Sequence, residues 1–267
     1  MIQPITSAQN PKIKDLLALQ EKSRLRREKG LFVVEGRREL AHCLESGYKA
    51  RTVFVCESIL TPKELKEVVT MVGPECGIFS IPAGVYEKVA FRGGTEGVIA
   101  ELQTKSLSLQ DIKFKGKEPL VVVMESVEKP GNLGAVLRSA DAAGADAVII
   151  CDPLTDIYNP NIIRASIGAV FTVPVVATTS EQAIDWLREN NITIYTAQLQ
   201  DSQWYYDVDM VHGTAIILGT EATGLTYQWR LAADRHIKIP MLGKLDSLNV
   251  SVSAAILLFE AVRQRNI

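Results

Sequence analysis

The chain has 267 residues, 47% hydrophobic and 22% charged, an ordinary composition for a globular protein of one large or two modest domains. No apolar run reaches the roughly 18 residues that a membrane-spanning helix needs, and residues 1–14 lack the basic-then-apolar order of a signal peptide. The four cysteines are scattered without a C-x-x-C pair, and only three histidines are present, which argues against a zinc site or a disulfide framework. We therefore expect a cytoplasmic protein that uses no metal.

The formal net charge is −2 at pH 7, but the charge is unevenly distributed along the chain. Between Lys12 and Arg38, nine basic residues stand against four acidic ones, so this segment carries +5 and the remainder carries −7. Such asymmetry predicts one basic face for a polyanion, although a solvated helix of mixed charge explains the same count. The candidate contacts are Arg24, Arg26, Arg27, Arg37 and Arg38.

The predicted elements of the N-terminal part alternate between short strands and helices. Pro62 suits the first turn of a helix that Thr61 would precede. A polar, aperiodic stretch at residues 103–119 is typical of an interdomain linker. We predict a smaller α/β domain over residues 1–105, with strands at 31–34, 52–56, 78–81 and 97–102 and helices at 11–19, 37–45 and 62–72.

The part after the linker begins with the apolar run L-V-V-V-M at residues 120–124, as expected of a strand covered on both faces. Alternation of such runs with helical segments indicates a parallel sheet, so we predict an α/β domain over residues 106–267. Its further strands are predicted at 147–150, 193–197 and 215–218, and its helices at 133–143, 161–169 and 181–190.

The last segment, residues 250–265, has the length of a helix and is apolar almost all round. A helix on the protein surface would show one polar face. We therefore expect this helix to be buried, either inside its own domain or against a second subunit.

Polar residues follow the buried strand at 120–124. Asn132 lies after its carboxyl end and Arg138 on the next helix, the region where α/β sheets bind ligands. The alternative interpretation makes Asn132 only a helix N-cap and Arg138 a surface charge.

Two further segments carry polar residues at strand ends. A buried strand runs into Gly219, which would let a flat ligand approach the backbone, and Glu221 follows two residues later. An ordinary strand-to-helix turn, with Glu221 in the first helical turn, explains the same residues. A later strand ends at Pro240, and Ser247 and Asn249 precede the last helix. One of these two would serve as its N-cap, which leaves the other unexplained.

Together, the three segments resemble the three motifs of the SpoU (TrmH) family of RNA ribose 2′-O-methyltransferases, within the SPOUT superfamily. The patterns N-x-G-x-x-x-R, G-x-E-x-x-G and I-P-M-x-G…S-L-N-V-S-x-A occur in this order between residues 121 and 265, and no motif residue is missing. The N-terminal part resembles the family's substrate-binding domain through Ser7, Asn10, Pro11, Lys14 and F-V-V-E-G at residues 32–36.

The resemblance implies a C-terminal domain tied in a deep trefoil knot, which general rules of chain topology would not predict. It also implies a homodimer joined through this domain, and S-adenosylmethionine held by the backbone of three loops. By motif position, the cofactor-binding residues are Leu218, Gly219, Ile239, Met241, Leu248 and Asn249, and the catalytic ones are Asn132, Arg138, Glu221, Ser247 and Asn249.

The implied reaction transfers the sulfonium methyl group to a ribose 2′-hydroxyl of RNA. Because the sulfonium is a good leaving group, catalysis consists mainly of alignment, desolvation and removal of one proton, without a metal. The resemblance assigns Arg138 as the base, but a guanidinium with a pKa above about 12 does not readily lose its proton. We expect Arg138 to clamp the substrate phosphate or lower the pKa of the hydroxyl, while the phosphate or Glu221 takes the proton. Asn132, Ser247 and Asn249 would order the loops and contact the target nucleotide.

Ribosomal RNA and transfer RNA are both open as substrates, and the N-terminal domain, with its arginine cluster as the RNA contact, favours ribosomal RNA. One competing function is a non-catalytic RNA-binding protein, which adenosylmethionine binding would distinguish. Another is a dinucleotide-dependent oxidoreductase, but no G-x-G-x-x-G follows a predicted strand, and G-N-L-G at residues 131–134 has the wrong spacing.

Overall fold

A computed structural model describes residues 2–91, 96–220 and 223–265 and divides the chain into two compact units. Unit 1 comprises Met1–Lys105 and Asp156–Ile163, and unit 2 comprises Ser106–Thr155 and Arg164–Ile267. The short segment Asp156–Ile163 thus belongs to unit 1, although it lies inside the sequence range predicted for the second domain. None of the helices in the described stretches combines the length and the apolar character that crossing a bilayer requires.

Unit 1 is built on a five-stranded mixed sheet with the strand order β1-β4-β3-β5-β2. β5 runs antiparallel to β2 and β3, whereas β4 runs parallel to β1 and β3. The strands are β1 (Gln3–Pro4), β2 (Leu31–Glu35), β3 (Ala50–Val55), β4 (Gly77–Ser80) and β5 (Val98–Gln103), and the helices are α1 (Pro11–Glu21), α2 (Ser23–Lys29), α3 (Arg37–Glu45), α4 (Pro62–Val72) and α5 (Ala83–Val89).

Two of these helices begin where the sequence supplies an N-cap. The side chain of Asn10 accepts a backbone hydrogen bond from Lys12 and precedes Pro11 at the start of α1. Thr61 and Glu64 form a capping box at the start of α4. The predicted bounds of α3 and α4 are confirmed to the residue. α2 and α5 were not predicted, because seven residues are too few to show a helical period.

Unit 2 is built on a seven-stranded sheet in which every neighbouring pair is parallel, with the order β10-β12-β9-β11-β6-β7-β8. The predicted parallel α/β class is confirmed, and the trefoil knot stays a prediction. The strands are β6 (Leu120–Glu125), β7 (Ala147–Cys151), β8 (Val175–Thr178), β9 (Thr193–Ala197), β10 (Gln203–Trp204), β11 (Thr214–Leu218) and β12 (Arg235–Lys238), and the helices are α6 (Pro130–Ala142), α7 (Pro160–Ser166), α8 (Ala169–Thr172), α9 (Ser180–Glu189), α10 (Tyr227–Ala232) and α11 (Val250–Gln264), of which α7 begins in unit 1.

The prediction of one helix over residues 161–169 is wrong. α7 ends at Ser166, and Ile167 and Gly168 both have positive φ, 53° and 85°, before α8 begins. Gly168 suits this conformation and is a local signal for the end of a helix, whereas a β-branched residue such as Ile167 rarely adopts it.

The last helix, α11, is only partly buried in its own chain. Ala254, Leu257, Leu258 and Ala261 are buried, as the apolar composition predicts. Val252 and Phe259, however, are 46% and 47% exposed. The helix therefore packs one side into unit 2 and leaves an apolar stripe on the surface.

Candidate active site

A cavity of about 700 Å³ lies at the carboxyl ends of β9, β11 and β12 and at the start of α11. Parallel α/β sheets present their ligand sites at this edge. All six residues predicted to bind the cofactor line the cavity: Leu218, Gly219, Ile239, Met241, Leu248 and Asn249. The structure thus brings together residues from three separate segments of the sequence, and their role in cofactor binding stays a prediction.

The loop after β11 forms one wall of this cavity. Gly224 donates a backbone hydrogen bond to the carbonyl of Thr220 at 3.0 Å, and a Cβ on Gly219 would lie 2.3 Å from the carbonyl carbon of Gly224. Glycine at position 219 is therefore required for the loop to close on itself, and the ligand approach that the sequence suggested stays a prediction. Glu221, a predicted catalytic residue in this loop, lies outside the described residues.

Asn249 is the N-cap of α11 and also contacts a residue of the first motif. Its Oδ1 atom caps α11 by accepting hydrogen bonds from the backbone and the hydroxyl of Ser251, at 3.0 and 2.6 Å. Its Nδ2 atom donates to Oδ1 of Asn132 at 3.1 Å. Ser247 lines the cavity, and its hydroxyl donates to Asp246 at 3.2 Å. The first and third motifs are thus joined by a side-chain hydrogen bond.

Asn132 is not a helix N-cap. α6 begins at Pro130 after Lys129, so Asn132 is the third helical residue. Two residues later, a Cβ on Gly134 would lie 2.4 Å from the Cβ of Ala165 in α7, so the glycine of the first motif permits close helix packing. The cap interpretation is wrong, because Lys129 occupies the N-cap position.

Arg138 is exposed on α6 and does not line the cavity of its own chain. Within the described part of the chain it makes no hydrogen bond or ion pair. Its guanidinium is therefore available to a partner outside this chain. The structure does not bring Arg138 to the cavity edge formed by the other motif residues.

Several polar residues line the cavity without belonging to any motif that the sequence revealed. They come mainly from the segment after β9 and from the end of β12. A polar run directly following a buried strand at the carboxyl edge would have been the signal for the first group. The side chains include Gln198, Gln200, Arg230, Lys238 and Asp246.

The four cysteines are all buried and unbonded to one another. Burial raises the pKa of the Cys43 and Cys151 thiols far above the usual range and that of the Cys76 thiol to about 11. The thiolate is the nucleophilic form, so these three side chains are poor nucleophiles at neutral pH. A covalent cysteine mechanism therefore has no support among them.

The arginines predicted to contact RNA differ widely in their surroundings. Arg24 pairs with Glu28 at 2.6 Å, and Arg37 pairs with Glu64 at 2.9 Å. Arg38 lies 3.3 Å from Glu39 and is largely exposed, as is Arg27. Except for Arg26, these arginines remain candidates for phosphate contact.

Arg26 must be withdrawn from this set. It is 2% exposed, and its Nε lies 2.6 Å from a carboxylate oxygen of Asp156, while Nη1 donates to the carbonyl oxygens of Leu19 and Gln20. A guanidinium buried in this way cannot reach a phosphate of bound RNA. Arg26 instead fastens the segment Asp156–Ile163 within unit 1.

Comparison with known proteins identifies the family. A model of the SpoU rRNA methylase family matches residues 119–259, more than half of the chain. The chain belongs to this family. A second model, of an MRM3-like substrate binding domain, matches residues 10–100 in unit 1. The predicted family is therefore confirmed, and the N-terminal match agrees with the resemblance to a substrate-binding domain.

Individual SpoU relatives match over nearly the full length. The 23S rRNA (guanosine(2553)-2′-O)-methyltransferase RlmP of Bacillus subtilis is 29% identical, over 96% of this chain and 97% of its own. A crystal structure described as an RNA 2′-O ribose methyltransferase is 36% identical, with a TM-score of 0.84 over 99% of this chain and 100% of its own. The AdoMet-bound rRNA methyltransferase from Sinorhizobium meliloti is 28% identical, with a TM-score of 0.89 over 98% of both chains.

Proposed function

We propose that the cavity of unit 2 binds S-adenosylmethionine and that the protein methylates a ribose 2′-hydroxyl in ribosomal RNA. The enzyme class rests on the family: the protein is an adenosylmethionine-dependent RNA ribose 2′-O-methyltransferase. Ribosomal RNA is favoured over transfer RNA because full-length relatives are named for it and unit 1 matches a substrate-binding domain. We also propose a cytoplasmic location, because the relatives are named for the modification of ribosomal RNA.

The observation that carries the proposal is the fit of the cavity to this cofactor. Its volume suits a molecule of this size. Leu218, Leu225 and Ile237 supply apolar walls for a purine, whereas Asp246 supplies a carboxylate suited to the cationic groups of the molecule. When bound, adenosylmethionine supplies a methyl group already activated by a positively charged sulfur.

The chain's own residues have to align the hydroxyl and assist its deprotonation. Asn132 and Asn249, joined by their hydrogen bond, hold the first and third motif segments together. A guanidinium is a poor proton acceptor, so we assign Arg138 to the substrate phosphate or to lowering the pKa of the hydroxyl, rather than to accepting a proton. The proton acceptor would be the substrate phosphate or Glu221. Ser247 would contact the target nucleotide at the rim of the cavity.

We further propose that the protein works as a homodimer through α11. Val252 and Phe259 leave an apolar stripe on the surface of this helix, which a second copy would cover. Arg138 does not line the cavity of its own chain, so a partner subunit would also bring an arginine to a site that lacks one from the first motif. Leu257 and Leu258 are buried within the chain itself, so a charge there would test folding rather than dimerisation.

The dimer is tested by Phe259→Glu. A charge cannot be buried without a partner, so we expect a monomer by light scattering with little loss of thermal stability. The matched control is Leu231→Glu, at an exposed apolar residue of α10 in the same unit. A Phe259→Glu protein that remains dimeric would rule out this face of α11 as the dimer interface.

The enzymatic function is tested in two steps. Calorimetry of the full chain with adenosylmethionine should show one site per chain, and a non-catalytic RNA-binding protein would show none. Mapping of ribose methylation in total RNA from a strain lacking the protein should then reveal missing methyl groups in ribosomal RNA. Wild-type protein should restore them and the Arg138→Ala variant should not. Loss confined to transfer RNA would overturn the proposed substrate.

A further inference from the structure

A buried carboxylate stands next to the proposed site without lining it. Glu125 is the last residue of β6 and is 3% exposed. It has no ion-pair partner within the described part of the chain. A buried carboxylate without a cation is costly unless hydrogen bonds satisfy it, so its partners indicate why it is there.

Those partners lie at the end of the loop that follows β11. The backbone N–H of Thr226 donates to Glu125 Oε2 at 2.8 Å, and the hydroxyl of Thr226 donates to Oε1 at 2.6 Å. Thr226 precedes α10 but its side chain does not cap that helix. Both donors of this residue are thus directed to a strand that lies 101 positions earlier in the chain.

The position of Thr226 controls the wall of the cavity. β11 pairs with β6 up to Leu218 and Met124, so Glu125 lies one residue beyond the last pair. The loop leaves the sheet at Leu218 and is tied back to the neighbouring strand at Thr226. Its described residues between these points all line the cavity: Gly219, Thr220, Thr223, Gly224 and Leu225.

A second set of hydrogen bonds holds Glu125 in place. Ser180 Oγ lies 3.4 Å from Glu125 Oε1, accepts the indole N–H of the buried Trp229 at 2.9 Å and donates to Asp152 at 2.7 Å. Trp229 belongs to α10, the helix that Thr226 precedes. The carboxylate is thus part of a connected polar network, in which each removal affects the neighbouring groups.

We infer that Glu125 is a positioning residue for the cofactor. Its carboxylate fixes Thr226 and thereby holds the loop of the second motif in the shape that forms one wall of the binding cavity. The inference rests on the proposed binding of adenosylmethionine in this cavity. The two oxygens of the Glu125 side chain match the two donors of Thr226, one oxygen for each donor.

The structure offers a matched control at the opposite end of β6. Asp146 precedes β7 and is 5% exposed, and its carboxylate accepts backbone hydrogen bonds from Leu120 at 2.8 Å and Lys115 at 2.7 Å. Like Glu125, it is a buried carboxylate that ties separate segments together. It lies at the amino end of the sheet, and it does not line the cavity.

The test compares Glu125→Gln with Asp146→Asn in the full chain, by calorimetry with adenosylmethionine. The amide offers one acceptor and turns an N–H₂ group toward a donor, so both variants should lose thermal stability. We expect Glu125→Gln to weaken binding at least tenfold and Asp146→Asn to stay within twofold of wild type. Equal weakening by both variants would mean a general effect of stability and would overturn the inference.

A milder variant keeps the test decisive if Glu125→Gln folds poorly. Thr226→Val removes one of the two donors and should weaken binding several-fold, whereas Thr226→Ser keeps the hydroxyl and should restore it. Hydrogen exchange at the Thr226 amide without cofactor should be faster in Glu125→Gln than in wild type. Wild-type protein that fails to bind adenosylmethionine would defeat the proposed function itself, whereas unchanged affinity in Glu125→Gln and Thr226→Val would defeat this inference alone.

Discussion

Several of the arginines predicted to contact RNA in unit 1 differ from Arg138 of unit 2 in what surrounds their charge. In unit 1, Arg24 and Arg37 lie within 3 Å of carboxylates, and Arg26 is buried against Asp156. In unit 2, Arg138 is exposed on α6 and makes no ion pair within the described part of the chain. An arginine that is already paired with a carboxylate attracts a phosphate less strongly than an unpaired arginine does. The comparison teaches that the number of arginines in a segment is a poor guide to which of them bind RNA.

The largest effect is expected at Arg26, where the comparison predicts a structural role. Arg26→Ala leaves the largely buried Asp156 carboxylate without its ion-pair partner, which typically costs about 3–5 kcal/mol. Urea denaturation should show this loss, and removing both partners in Arg26→Ala/Asp156→Ala should recover part of it. Arg24→Ala, at an exposed pair on the same helix, is the control and should change little. Equal stability of the two single variants would contradict the structural role.

The second prediction concerns Arg138, the exposed arginine of the first motif. Arg138→Ala should reduce methyl transfer by roughly 10²–10³-fold, as is typical when a group that stabilises developing charge is removed. Arg138→Lys should recover little, because an ammonium does not reproduce the planar fork of a guanidinium. The unfolding free energy should change by less than about 0.5 kcal/mol. Arg188→Ala, at an exposed position of α9, serves as the control. Wild-type turnover in Arg138→Ala would refute its catalytic assignment.

Arg24 and Arg27 lie on the same helix, but only Arg24 is paired with a carboxylate among the described contacts. Neutralising Arg27 should weaken RNA binding and flatten the log–log salt dependence by roughly 0.7–0.9, the value for one lost phosphate contact. Arg24→Ala should have a smaller effect, because Glu28 already compensates its charge. Adenosylmethionine affinity should be unchanged in both variants. If the double variant Arg24→Ala/Arg27→Ala showed an unchanged salt dependence of RNA binding, these two arginines would be only solvated surface charges.

The smallest effect is expected at a buried acid of unit 1. Burial, only partly opposed by a hydrogen bond from Thr52, raises the pKa of Glu101 above its ordinary value. The ionised form is then disfavoured in the folded state, so the stability present at low pH is lost as the pH rises through the folded pKa. Glu101→Gln should therefore raise the unfolding midpoint at pH 7 by a few degrees at most. The gain should vanish below about pH 4, where the wild-type carboxyl is protonated in both states. A gain independent of pH would contradict this account.

Much of the fold could be predicted from the sequence, because its signals are local. The buried run at residues 120–124, the capping of α4 by Thr61 and Glu64, and the alternation of strands and helices depend on residues close in the chain. The three motifs likewise predicted a pocket whose six proposed cofactor residues do meet. Short elements such as α2 and α5 were not predicted because they are too brief to show a helical period. The break at Ile167 was missed because a β-branched residue rarely adopts a positive φ.

Residue type and spacing alone thus determined the family, the parallel sheet of unit 2 and the residues that converge at its carboxyl edge. Tertiary structure decided which of the charged residues are free to act. Arg26 and Asp156 are 130 positions apart, and Glu125 and Thr226 are 101 apart. No local pattern marks such pairs, since a buried arginine and an exposed one look the same in a sequence. Only the fold brings each charge to its partner or leaves it without one, and that difference separates the arginine that holds unit 1 together from the arginine proposed to act on RNA.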